Sequence, residues 1–229
     1  MALYAIGDLH LCLGADKPMD IFGGAWVGYM EKLENEMSVI RPEDTTVLLG
    51  DISWALSLDE AQKDFAWINK IPGRKIILKG NHDYWWSTAT KFQKFCAENN
   101  FTDLHLLHNN HFEYNGWAIC GTRGWFYEED RSSDHDEKVF KRELLRLEAS
   151  LISAGDLPKM VFLHYPPRYT GYECPEILSL LERYEVRSCF YGHLHGGSHS
   201  LAVQGPWNRT DFSLVSADYL KFSPRKVIF

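Results

Sequence analysis

Three short apolar runs, Ala2 to Ile6, Thr45 to Leu49 and Lys75 to Leu78, each stop at a glycine followed by a polar residue: Gly7-Asp8, Gly50-Asp51 and Gly80-Asn81. Short apolar runs bounded in this way read as buried strands. Between them the apolar period lengthens. Met30, Leu33, Met37 and Ile40 recur at helical spacing within Tyr29 to Ile40, and Ser57 with Glu60 forms a capping box that opens a helix over Asp59 to Asn69. The order β, α, β, α, β predicts parallel strands joined by right-handed crossovers, and in such sheets ligands bind beyond the carboxyl ends of the strands. Those ends are where the polar residues fall.

Downstream, Ser87 to Asn99 reads as another helix, and Asn115-Gly116 flanked by apolar residues predicts a tight hairpin. Phe140, Leu144, Leu147 and Leu151 form one stripe along a helix over Glu137 to Ile152. Lys159 to Leu163 makes a strand before His164, and Ser188 to Tyr191 another before Gly192-His193. Ser200 to Val203, Phe212 to Val215 and Val227 to Phe229 read as short antiparallel strands. No linker, repeat or low-complexity tract interrupts the chain, so residues 1–229 are expected to form a single α/β domain with two sheets.

Composition narrows the partners. A hydrophobic fraction of 45% with 24% charged residues fits a folded globular chain. The net charge of -7 disfavours long nucleic acid and anionic membrane surfaces. No stretch approaches the ~18 apolar residues of a membrane span, and Met1 to Ala15 lacks the features of a signal peptide. Cys12, Cys96, Cys120, Cys174 and Cys189 are scattered, with no C-x-x-C pair, and read as structural thiols in a reducing compartment. A cytoplasmic location follows as the expectation.

The candidate chemistry lies at the strand ends: Asp8 and His10, Asp51, Asn81 with His82 and Asp83, His164, and His193 with His195. Residues two apart in an extended segment face the same side, so Asp8 with His10, and His193 with His195, can point into one space. Carboxylate oxygen with imidazole nitrogen and no thiolate suits Mn, Fe, Zn or Ni better than Ca. Seven candidate ligands exceed one ordinary site. Two divalent ions about 3.5–4 Å apart, bridged by a carboxylate, would use them and clamp both oxygens of an in-line displacement.

These blocks resemble the calcineurin-like metallophosphoesterase superfamily, whose D-x-H, G-D, G-N-H-[DE], lone H and G-H-x-H motifs stand here, in family order, as Asp8-Leu9-His10, Gly50-Asp51, Gly80-Asn81-His82-Asp83, His164 and Gly192-His193-Leu194-His195. The resemblance spans about residues 3–195. It implies an αββα fold, two mixed β-sheets packed as a sandwich with helices on the outer faces. It also implies Asp8, His10 and His195 on one metal, Asn81, His164 and His193 on the other, and Asp51 between them. The implied reaction is hydrolysis of a phosphate mono- or diester by a metal-bridging hydroxide. His82 would then serve the leaving oxygen or the phosphoryl charge, with Asp83 orienting its imidazole and raising its pKa.

Other residues are weighed against plainer roles. Arg123 and Arg168 are candidate forks for a phosphate. Trp54, Trp85, Trp86 and Trp125 follow the motifs closely enough to wall a cleft, though Trp is equally a packing residue. His105, His108 and His111 read as surface histidines rather than a second metal cluster. The acidic stretch from Tyr127 to Asp136 reads as a solvated loop rather than a lid. Small phosphorylated metabolites or nucleotides are the favoured substrates. The rivals are a hydrolase of nucleotide-linked lipid pyrophosphates, whose third block usually carries Arg in place of His82, an interaction scaffold on the same fold, and a dimetal hydrolase of amides or carboxylic esters.

Overall fold

The computed structural model describes residues 1–125 and 134–228. In chain order the elements are β1 (Leu3–Ile6), α1 (Tyr29–Met37), β2 (Thr45–Leu49), α2 (Gln62–Lys70), β3 (Arg74–Leu78), α3 (Ala89–Glu98), β4 (Leu104–Leu106), β5 (Phe112–Tyr114), β6 (Trp117–Thr122) and α4 (Asp134–Ser153). They continue as β7 (Lys159–Leu163), β8 (Arg168–Tyr169), β9 (Tyr172–Glu173), α5 (Pro175–Arg183), β10 (Ser188–Tyr191), β11 (Gly205–Trp207), β12 (Thr210–Leu214) and β13 (Arg225–Lys226).

Two mixed sheets result. One has the order β13-β1-β2-β3-β4 and the other β11-β12-β10-β7-β6-β5. Each has four parallel strands at its centre, with antiparallel strands only at edges: β13 in the first, β5 and β11 in the second. The alternation of side chains sorts the core into three layers. Leu3, Ala5, Val47, Leu49, Ile76 and Leu78 meet Ile119, Met160, Phe162 and Phe190 between the sheets. The residues between them in sequence, such as Ile6, Leu48 and Ile77, turn outward onto helix residues Leu33, Phe65 and Phe92. On the other sheet Cys120, Val161, Leu163 and Tyr191 face Phe140, Leu147, Leu151, Ile177 and Leu181. The molecule is thus the expected αββα sandwich.

Several local expectations are met with shifted boundaries. The Ser57 hydroxyl accepts the Glu60 N–H at 3.2 Å, but the Glu60 carboxylate takes the Leu56 N–H at 2.7 Å, and regular helix begins only at Gln62. Asn115 and Gly116 both have positive φ, 48° and 79°, as the two-residue hairpin turn requires. The C-terminal segments differ from expectation. Ser200 to Val203 is no strand, because Gly196–Leu201 forms 3₁₀ turns. Phe212 belongs to β12, which runs parallel to β10, and the final pairing uses Arg225 and Lys226 rather than Val227 to Phe229. Of the acidic stretch, residues 127–133 lie outside the described residues, and Asp136 lies in α4.

At the carboxyl ends of the strands the two sheets are laced together. Gly7 N–H donates to the Val215 carbonyl at 2.8 Å and Ala217 N–H to the Gly7 carbonyl at 3.0 Å, so the loop after β1 is tied to the loop after β12. Asp8 and His10 donate their N–H groups to Gly50 and Asp51, both at 2.9 Å. Five polar loops are gathered at this seam.

Candidate metal centre

The glycines of the motifs are explained by proximity. A Cβ on Gly80 would lie 2.1 Å from Asp51 Oδ1, one on Gly192 2.4 Å from Asp8 Oδ2, and one on Gly50 2.5 Å from the Gly80 nitrogen. Asp8, His10, Asp51 and His193 all hold positive φ, between 48° and 71°. Non-glycine residues adopt that region at a cost, and such strain clusters at functional sites. Here it turns the side chains into one space.

The ligand atoms meet there. His10 Nε2 and His195 Nε2 are 3.4 Å apart, and His195 Nε2 is 3.4 Å from Asp8 Oδ1. His10 Nε2 is 3.7 Å from one Asp51 oxygen and His164 Nε2 is 3.6 Å from the other. Asn81 Oδ1 lies 2.6 Å from His164 Nε2 and 3.1 Å from His193 Nδ1. All seven residues singled out as ligands are therefore together. Two overlapping groups could hold a metal ion, Asp8 with His10 and His195, and Asp8 with Asp51 and His164. Asp8 belongs to both groups, and the Asp51 carboxylate spans from His10 to His164.

The surrounding bonds fix which nitrogens face inward. His164 Nδ1 stands 3.0 Å from the Leu49 carbonyl, and His195 Nδ1 is 2.9 Å from Asp218 Oδ1. Each Nδ1–H has an acceptor, which turns Nε2 to the cluster, the usual arrangement behind a ligating histidine, and on His164 that Nε2 offers its lone pair. His164 Nε2 and Asn81 Oδ1 then face each other as acceptors, a contact that a cation would relieve. Charge gives the same reading. Burial and then the Asp8 charge push Asp51 up to about 8. Burial works against a charged His195, but Asp8 and the Asp218 hydrogen bond raise it to about 10. Burial would likewise raise Asp8, but His195 foremost holds it well below the usual carboxylate range. Burial lowers His10 and His164, and burial with His164 lowers His193 to about 3. The cluster keeps protons on Asp51 and His195, and a divalent cation would take the place of both. The donor set fits such ions.

Around the cluster stand aromatic rings. Trp54 stacks on His10 at 4.9 Å and lies 4.6 Å from His82, as a cleft wall should. Trp26, which the pattern analysis did not single out, packs edge-on to His10 and His195 at 5.7 and 5.9 Å. Trp85 is a correction: it is 3% exposed, packed against Phe65 and Phe92 in the core.

Asp83 is another. Its carboxylate accepts N–H bonds from Ile52 and Gly80 at 2.8 and 2.7 Å, a longer one from Ser53 at 3.3 Å, and the Trp85 indole N–H at 2.8 Å. Wholly engaged in clamping two loops, it does not orient the His82 ring. Burial and Asp51 push Asp83 up to about 6. His82 donates its backbone N–H to Asp51 at 2.8 Å, and its ring Nδ1 is 3.3 Å from the Tyr84 hydroxyl. Burial, then His164, lower the imidazole to about 4, opposite to the expected rise.

The two arginines sit apart from the seven ligands. Arg168 is held through Nη2 by Glu173 at 2.9 Å and lies over Trp207, while its buried Nε and Nη1 have no hydrogen-bond partner among the described residues. Arg123 lines a neighbouring cavity beside Trp86 and Trp125. His105, His108 and His111 are half-buried rather than on the surface, and belong to neither metal-holding group. Asp218 is the main residue missed. Besides His195 it accepts the Gly196 N–H at 3.0 Å and faces His199 at 3.2 Å.

The sequence matches the model of the calcineurin-like phosphoesterases over residues 1–197. The chain belongs to that family. The chain is also similar in fold to solved structures. One is the protein of unknown function AQ665 from Aquifex aeolicus, with 17% identity, 98% of this chain and 95% of that one covered, and a TM-score of 0.53. Another is TT1561 of Thermus thermophilus, with 14% identity, 84% and 81% covered, and a TM-score of 0.55. Among curated proteins none matches the chain. Membership carries a hydrolase role and agrees with the ligand groups just described. No helix among the described residues is long and apolar enough to cross a membrane.

Proposed function

We propose that the chain is a dinuclear metal-dependent phosphoesterase that hydrolyses a phosphate mono- or diester of a small nucleotide or metabolite. The observation that carries this reading is the pair of overlapping ligand groups joined through Asp8 and Asp51, with Asn81 poised between His164 and His193. Asp8, His10 and His195 would hold one cation, Asn81, His164 and His193 the other, and Asp51 both. Two such ions, of Mn, Fe, Zn or Ni character, supply neutralisation of phosphoryl charge and acidification of water.

The chain's own residues set the rest. His82, near His10 at 5.9 Å between ring centroids, faces the site without joining either ligand group. Its Nδ1 meets the Tyr84 hydroxyl at 3.3 Å, and in the neutral tautomer with the proton on Nε2 the ring would donate a hydrogen bond to a phosphoryl or leaving oxygen. Trp54 and Trp26 shield the ligands from water on one side. The central core layer, drawing on residues from Leu3 to Val227, supports one domain over residues 1–229. Five free cysteines, four of them buried, fit a cytoplasmic protein.

Hydrolysis of bis-p-nitrophenyl phosphate and p-nitrophenyl phosphate by metal-stripped protein, before and after Mn²⁺, tests the reading. Activity restored by metal is expected, and the ratio of the two rates assigns diester or monoester preference. Faster turnover of p-nitrophenyl acetate than of either phosphate ester would overturn it.

A further inference from the structure

A cavity of about 300 Å³ opens between the ends of β3, β4 and β6 and the side of α4. Lys79, Arg123, Arg142 and Arg146 line it, with Glu143 as the one carboxylate among its described lining residues. Glu143 is 3% exposed and fully occupied: its oxygens take Arg146 at 2.6 Å, Arg123 at 3.5 Å and the Thr122 hydroxyl at 2.7 Å. Lys79 and Arg142 have no ion-pair partner among the described residues, and the buried Arg123 Nε has no acceptor. In a chain of net charge -7 this is a local excess of cations in a partly enclosed space. Trp86 and Trp125 form apolar walls, and the Arg123 guanidinium lies 5.0 Å over the Trp125 ring.

The cavity shares its frame with the ligands. Lys79 is two residues before Asn81 at the end of β3, and the Arg123 carbonyl accepts the His164 N–H at 3.1 Å. Lys79 and Arg123 therefore sit on loops that carry or anchor two of the candidate ligands, Asn81 and His164. Guanidinium and ammonium groups gathered in a partly enclosed space pair well with phosphoryl oxygens.

We infer that this cavity binds a second phosphoryl group of the substrate, beyond the one that is hydrolysed. The assignment rests on the phosphoesterase reading and narrows it to small molecules with at least two phosphoryl groups. Lys79 and Arg142 are the specificity-determining residues best suited to a test, since neutralising them leaves no buried carboxylate unpaired.

Two measurements on the full chain decide it. Inorganic phosphate is titrated against tryptophan fluorescence, which Trp86 and Trp125 should report. Binding should persist in Asp51→Asn and weaken by about tenfold or more in the Lys79→Gln/Arg142→Gln double variant, as expected for lost charge-assisted hydrogen bonds. Mn²⁺-loaded protein is then compared on adenosine 3′,5′-bisphosphate and adenosine 5′-monophosphate. The bisphosphate should have the higher kcat/KM, by about tenfold, and the double variant should lose most of that ratio. Phosphate binding that vanishes with Asp51→Asn and ignores the double variant would overturn the site. A ratio near one in the wild type, with binding intact, would assign the cavity to free phosphate and overturn the substrate assignment. Binding that depends on Lys79 and Arg142 with no hydrolysis of either nucleotide or of the nitrophenyl phosphate esters would uphold the anion site and overturn the phosphoesterase reading instead.

Discussion

Carboxylates of similar burial do different work in this molecule, and neighbours decide which. Asp51 and Asp8 face imidazoles and each other, whereas Asp83 faces three backbone N–H groups and an indole. Replacing Asp83 by Ala strands those donors, each worth about 1–3 kcal/mol when left unsatisfied in the interior. We expect Asp83→Ala to lose about 3 kcal/mol or more of stability in urea unfolding; a stable variant with normal metal binding would contradict the clamp. Asp51→Asn should lose metal occupancy and activity together, while His82→Ala should keep its metals and lose most turnover, as metal analysis alongside rate measurements would show. The raised values at Asp51, about 8, and His195, about 10, set a pH dependence. Below those values each group holds a proton that a cation must displace. Metal affinity should therefore rise with pH, by up to about tenfold per unit for each proton displaced, and binding at pH 7 should release protons. Calorimetry in buffers of different ionisation enthalpy reads that release directly, and none would count against the assignment. Asp83 misled the sequence reading because a motif position says which residue is near, not which way its oxygens turn.

At the scale of elements, the strand ends carried most of what could be read. Each apolar run stops where a glycine lets one loop approach another, and the polar residue after it reaches the seam between the sheets. Gly80→Ala tests this: its Cβ would stand 2.1 Å from Asp51 Oδ1 and 2.2 Å from the Asp51 backbone nitrogen, so one loop must move, and the variant should lose stability and bind metal weakly, read as a lower urea midpoint with reduced Mn²⁺ uptake. Retained metal affinity would show that the loop has room to give. α5 was not legible because Pro175 looks like a breaker, although proline is favoured in the first turn of a helix. Asp218 was hidden by a misread direction. Phe212 to Val215 reads as an antiparallel strand, whereas β12 is parallel to β10, so its far end belongs to the same ligand-bearing edge as the others. The rule that found Asp8, Asp51 and Asn81 would have pointed to Ser216-Ala217-Asp218 had that direction been known. Trp26 gave no signal, since the 3₁₀ turns around it lack any hydrophobic period.

On the scale of the whole molecule, the sandwich places ligands from residue 8 to residue 195 on one seam, which is why they are far apart in sequence and touch in space. Family membership and ordered motifs made that convergence readable in advance, whereas Asp218, Trp26 and the cationic cavity needed three-dimensional packing to appear. The account stands or falls on two cations at that seam. Anomalous scattering from crystals of the full chain grown with Mn²⁺ measures this most directly. The account predicts two peaks about 3.5–4 Å apart, both next to Asp51, one beside His10 and His195 and the other beside Asn81, His164 and His193. A single peak, or peaks elsewhere with the seven ligands bare, would contradict it.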